Sequence, residues 1–167
     1  MPVQAGIWCL RLSRHMKSDF SFFHPLRVRW SEVDMQKVVF NGNYFNYFDV
    51  AVYESWRIMM EAAIKTQGAQ VKPQFEGWLH NIYVVKAGAE YHGPAHWDDQ
   101  LEIGVRAAKL GRSSMRTVLE IYRGDVHLIS GELIYVYKDP VANASAPLPE
   151  GFRQMVIAFE KIRPEGA

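Results

Sequence analysis

One cysteine, Cys9, is all the thiol chemistry this chain carries. An internal disulfide and a cysteine-built metal site are therefore excluded, and a reducing, cytoplasmic setting is the expectation. Charge of one sign is also lacking: a formal net charge of +1 gives no broad basic field of the kind that holds nucleic acid, so an anionic ligand has to be met locally. The N-terminal stretch lacks a long apolar run. Ala5–Leu10 is followed at once by Arg11, Arg14 and Lys17, which is too short for a membrane span and has neither the leading charge nor the cleavage pattern of a signal peptide. Residues 1–19 read as a surface arm, and Met16 is an alternative start. There is no repeat, no low-complexity segment, and no Ser/His/Asp or metal-ligand constellation. His92 and His96 are spaced H-x3-H, but the intervening Gly93-Pro94 spoils the helical register that would bring them together, so the stretch reads as a turn between strands.

What is present is enough apolar material, 49% of 167 residues, to fill one core. Phe20, Phe22, His24, Leu26, Val28 and Trp30 share one parity, which predicts a first strand over 20–30, with Pro25 marking an edge or a bend. The period then changes. Phe48, Ala51, Val52, Ser55, Met59 and Ala62 fall at helical spacing from Tyr44 to about Thr66, with Gly68 as the stop. Four β-rich segments follow, Trp78–Tyr91, Gln100–Leu110, Ser113–Tyr122 and Val126–Tyr137, divided by turn signals at Gly93-Pro94, Leu110–Arg112 and Gly124-Asp125. Pro140–Pro149 reads as a connector, and Pro149–Ile162 as a shorter helix with Phe152, Val156 and Phe159 on one face. Periodicity alone gives an α+β fold with a long helix that needs a sheet around it. The expected organisation is an arm (1–19), a main domain (20–140) and a C-terminal connector with its helix (141–167).

The chemistry concentrates in Arg29–Asp49. Asp34 sits in a short loop after a strand, and an Asn/Gly/Asn cluster opens the long helix seven to ten residues later. The first N–H groups of a helix have no intrahelical partners and carry partial positive charge, so they suit an oxyanion. A carboxylate facing such donors is a plausible hydrolytic pair. Read from loop chemistry alone, Asp34 is equally a turn aspartate that caps its own loop.

Glu32, Asp34, Val38, Val39, Asn43, Tyr44, Tyr47, Phe48 and Asp49 together resemble the loop and helix start of the hotdog-fold acyl-CoA thioesterases of the 4-hydroxybenzoyl-CoA type, over roughly Arg27–Lys138. The resemblance implies a curved antiparallel sheet wrapped around the long helix, assembly as a homodimer or homotetramer, and hydrolysis of an acyl-CoA to free acid and coenzyme A. It implies no metal or redox cofactor, coenzyme A being part of the substrate, and neither nucleic acid nor membrane as a partner. Asp34 takes the role of nucleophile or general base, and the backbone of Asn41–Tyr44, including Asn43, that of oxyanion donor. Val39, Phe40 and Tyr47 would meet the acyl group. Lys109, Arg112, Ser113 and Ser114, a basic segment with hydroxyls at a strand start, would meet the phosphates of coenzyme A, from a neighbouring subunit in many relatives, or form a plain hairpin. Lys37 stands where many relatives have glycine. Asp49 or Glu54, on the helix, is the runner-up catalyst. Two other classes stay open: a non-catalytic acyl-CoA binding module, and a hydratase or dehydratase that would recruit His80 or His24.

Overall fold

The long helix α1, Asn43–Gln67, is the element on which the others are laid. The computed structural model describes residues 15–167, so most of the expected N-terminal arm lies outside the described residues. Tyr44, Tyr47, Phe48, Ala51, Val52, Ser55, Met59 and Ala63 form the buried stripe of α1, the three-and-four spacing of one helical face. Twenty-five residues make a rod of about 37 Å. It ends at Gly68, whose φ of 95° lets its N–H turn back to the Ile64 carbonyl at 2.9 Å.

The sheet is β1 (Phe22–Arg27), β2 (Ile82–Tyr91), β3 (Gln100–Leu110), β4 (Ser114–Arg123) and β5 (Val126–Tyr137), in the order β1-β3-β4-β5-β2. Every pairing is antiparallel. Leu119, Ile121, Ile129 and Leu133 belong to the core with α1, and Gly131 lets the helix come close: a Cβ there would lie 2.5 Å from the Phe48 ring. This is the α+β arrangement expected, a curved antiparallel sheet around a central helix. By strand alternation, Glu120, Ser130 and Glu132 turn to the other face, where all three are nevertheless buried. Glu132 is held there by Arg116 at 2.5 Å and Lys86 at 2.9 Å. Residues 15–20 cover part of that face, the His15 N–H reaching Glu120 Oε1 at 3.1 Å.

The two sheet edges differ. β1 carries Pro25, opposite Glu102, which has no N–H to offer a further strand. β2 shifts register between Val84 and Lys86 and exposes Tyr83, Val84 and Val85.

Some expectations are corrected. The first strand stops at Arg27, and Trp30–Glu32 is a 3-10 turn that leaves Trp30 74% exposed, so Trp30 does not share the strand's inward face. Trp78 and Leu79 belong to a helix, α2 (Val71–Leu79), and the following strand begins at Ile82. Val71 and Phe75 are buried at i, i+4 spacing, and Pro73 falls in the first turn, where its missing N–H costs nothing. Phe75 and Trp78 pack on Phe152 of α3, Glu150–Phe159, at ring distances of 6.1 and 6.3 Å. The α3 helix is shorter than expected, and after it Glu165 pairs alongside Lys109 as a parallel bridge.

Candidate active site

Asp34 lies in a miniature hairpin. Val33 pairs with Val39 and Val38 with His96, while the Asp34 N–H bonds the Val38 carbonyl and the Lys37 N–H bonds the Asp34 carbonyl, both at 2.9 Å. Lys37 turns the corner with φ of 64°, a left-handed conformation that costs a side-chain-bearing residue about 1 kcal/mol or more. The tight turn that a glycine would allow is thus formed here with lysine. The Asp34 Oδ1 accepts the Gln36 N–H at 2.7 Å, the cap expected of a turn aspartate. Oδ2 accepts no hydrogen bond among the described residues. One oxygen thereby fixes the carboxylate and the other remains available.

Asp34 shares a cleft of about 460 Å³ with Val38, Val39, Phe40, Asn41 and Tyr44 on one side and Tyr91, His92, Gly93 and Pro94 on the other. Tyr44 ties the two sides together, its hydroxyl accepting the Ala95 N–H at 3.1 Å, and burial raises its phenol above the ordinary value. The Val39 N–H reaches the Ala95 carbonyl at 2.9 Å, and the Tyr91 hydroxyl donates to the Asn41 carbonyl at 3.2 Å. Phe40, 55% exposed, lies over Gly42, where a Cβ would come within 2.9 Å of its ring. The Asn43 N–H is spent on the Phe40 carbonyl at 2.9 Å.

Asn43 and Tyr47 face elsewhere. With Glu32, Arg29, His24, Asn46 and Trp97 they line a second cleft of about 610 Å³. Glu32 organises its wall: Oε2 accepts the Tyr47 hydroxyl at 2.8 Å and the Arg29 N–H at 2.7 Å, and its carbonyl accepts Asn43 Nδ2 at 2.8 Å. Burial and then this carboxylate push the Tyr47 phenol up. So Asp34, Val39, Phe40, Asn41 and Tyr44 are brought together, while the side chains of Asn43 and Tyr47 brace the loop from the far side.

Three other groups of candidates stand apart. Asp49, its carboxyl raised by partial burial, and Glu54, held down by Arg57 at 2.7 Å, line neither cleft. Lys109, Arg112, Ser113 and Ser114 sit at the β3–β4 turn, the opposite end of β3 from Gln100, about 33 Å away at the ordinary strand rise. Lys109 is paired with Glu165 at 2.5 Å, and Ser113 and Arg112 give their carbonyls to Tyr137 and Leu148. His92 and His96 part company, His92 meeting Ser130 at 3.2 Å and His96 meeting Arg123 at 3.3 Å. Among the described residues no three His, Cys, Asp or Glu side chains are grouped to hold a metal, and no helix is long and apolar enough to cross a membrane.

Residues 36–130 match the family described as the thioesterase superfamily, a span that begins inside the turn, two residues after Asp34, and takes in all of α1 and most of the sheet. The chain belongs to the thioesterase superfamily. That makes it a thioesterase by family, and its fold is shared with solved thioesterases. One, from Thermus thermophilus and complexed with coenzyme A and Zn, is 24% identical, covers 88% of this chain and 98% of its own, and superposes with a TM-score of 0.69. A 1,4-dihydroxy-2-naphthoyl-CoA thioesterase from Synechocystis is 18% identical over 81% of this chain and 94% of its own, with a TM-score of 0.63. A gentisyl-coenzyme A thioesterase, also 18% identical, covers 81% and 99%, with a TM-score of 0.64. For the thioesterase, the sequence left the far wall of the cleft, Tyr91–Pro94, without a role. No local pattern could have assigned it, since β2 reaches Asp34 only through long-range pairing.

Proposed function

We propose that the thioesterase hydrolyses its acyl-CoA in the cleft lined by Asp34, with Asp34 as nucleophile or general base and backbone N–H groups of the Asn41–Tyr44 stretch as oxyanion donors. The observation that carries this reading is the carboxylate itself, fixed by its own turn through Oδ1 and placed in one cleft with the start of α1. A thiol of pKa near 8.5 leaves readily as thiolate, so one carboxylate and preorganised donors are sufficient machinery. With the Asn43 N–H already bonded, Asn41, Gly42 and Tyr44 are the amides left for the oxyanion. Lys109, Arg112, Ser113 and Ser114 are too far along β3 to serve the cleft of their own chain, so a phosphate contact from them comes from a neighbouring subunit. That placement favours a homodimer, built by pairing the exposed β2 edges, or a tetramer of such dimers. A cytoplasmic enzyme fits the single cysteine.

The test is thiol release from a panel of aromatic and aliphatic acyl-CoAs, with binding measured in parallel, for wild type and Asp34→Asn. Turnover that falls by at least about 100-fold in the variant while binding persists supports the assignment. Activity that survives the substitution moves the chemistry away from Asp34. Binding without turnover by the wild type would instead indicate an acyl-CoA binding module.

A further inference from the structure

Behind the far wall of the cleft lies a buried polar chain that the hydrolytic reading does not use. His92 Nε2 is 3.2 Å from Ser130 Oγ, and Ser130 Oγ donates to Glu120 Oε2 at 2.7 Å. His127 Nε2 lies 2.5 Å from the same oxygen and 3.1 Å from the Ile129 carbonyl. Glu120 is 1% and Ser130 2% exposed. A buried carboxylate is costly unless its lone pairs are met. Here they are, by Ser130, His127 and the His15 N–H.

Donor and acceptor counting then fixes the protons. A serine hydroxyl has one hydrogen, and Ser130 gives it to Glu120, so toward His92 its oxygen can only accept. His92 Nε2 must therefore carry the hydrogen. In a neutral imidazole that leaves Nδ1 as a lone pair. His92 Nδ1 makes no hydrogen bond among the described residues, and His92 is exposed and lines the cleft together with Asp34. Its main chain is immobilised as well: the N–H groups of His92 and Gly93 both bond the Leu128 carbonyl, at 2.8 and 3.0 Å.

We propose that His92 is the proton acceptor of the cleft, oriented through Ser130 by the buried carboxylate of Glu120. In hydrolysis an Asp34 carboxylate oxygen bonds to the acyl carbon as the C–S bond breaks with its electron pair left on sulfur; the oxygen of water then bonds to that acyl carbon, the bond to Asp34 breaks with its electron pair returned to the carboxylate, and the proton that water releases goes to His92 Nδ1. Asp34 is thereby spared the proton and is left as the nucleophile. The groups that face the His92 site are His127, whose ring centroid is 4.8 Å away, Ser130 and Glu120 from the sheet, and Asp34, Tyr44 and Tyr91 around the cleft. Tyr122 and His15, the latter in contact with Arg106 at 3.3 Å, pack on the Glu120 end.

This rests on thioester hydrolysis in the Asp34 cleft, and two measurements keep the ideas separate. Long-range proton–nitrogen NMR of the wild-type imidazoles reads the tautomer without any turnover: Nε2–H on His92 is expected, and Nδ1–H overturns the proposal. The second is His92→Gln, whose amide can still donate to Ser130 but has no basic nitrogen. We expect unchanged thermal stability and KM, a loss of at least about tenfold in kcat, and a rate that no longer follows pH as the wild type's does. Ser130→Ala, which keeps His92 but removes its acceptor, should alter that pH dependence rather than abolish it. Full kcat with an unaltered pH profile in His92→Gln refutes the proposal. A wild type that hydrolyses no thioester sinks the activity reading itself.

Discussion

Glu160 offers the most direct test of the energetics. It follows α3, and its Oε1 accepts the Ala107 N–H at 2.7 Å, while Oε2 is buried without a partner. Burial, opposed by the Ala107 N–H and by Arg106, lifts its carboxyl from 4.5 to about 7. An acid whose folded value is raised holds its proton more tightly when folded. Its contribution is therefore intact below the unfolded value of about 4.5 and is lost as pH climbs toward the folded value of about 7. At about 1.4 kcal/mol per pH unit the full loss is about 3 kcal/mol, and partial solvent access brings the expectation to about 2–3 kcal/mol. Glu160→Gln keeps an acceptor for Ala107 and cannot ionise, so its stability should not follow this limb. We expect wild type and variant to unfold at similar urea concentrations near pH 5. At pH 8.5 the variant's midpoint should be higher by about 1 M, taking a slope of about 2 kcal/mol per molar urea. A gap that stays the same at both pH values refutes the burial argument for this carboxyl.

Lys37→Gly removes the left-handed strain at the corner of the Asp34 hairpin. The gain of about 1 kcal/mol or more is offset by the freer unfolded chain, so thermal unfolding should show a net stabilisation of about 0.5 kcal/mol; a clear destabilisation would mean that the lysine side chain holds the turn. Gly131→Ala puts a methyl 2.5 Å from the Phe48 ring. With β5 and α1 both fixed by their neighbours, overpacking should cost about 1–3 kcal/mol in urea unfolding, and a neutral result would show that the helix can lift from the sheet.

Local signals in the sequence carried the frame well. The change of period after Trp30, the unbroken stripe from Phe48 to Met59, and Gly68 located α1 to within a residue or so, and glycine-marked turns located β3, β4 and β5. Helix α2 was missed because nine residues containing Pro73 and Gly77 hold too short an apolar stripe to stand out, and Val71 and Phe75 become a face only against Phe152. Trp30 followed the strand's parity on paper, yet the Glu32 carboxylate, bonding back to the Arg29 N–H, turns the chain before it. At the site, Asp34 and the start of α1 were legible because they are close in sequence. That Asn43 and Tyr47 turn to Glu32, and that His92 stands on the opposite wall, depends on contacts across 11 to 50 residues or more of chain, which no local pattern encodes.

The unequal edges of the sheet bear on stoichiometry. A sheet that can accept strands on both sides can add copies without end, and the product is a fibre. Here β1 is short and carries Pro25, so growth on that side has no template, while β2 presents a ten-residue edge. A body with one adhesive side can be extended once. In the dimer proposed above, two copies meeting through that edge would leave neither with anything to offer along the sheet, and the assembly would close by running out of valence.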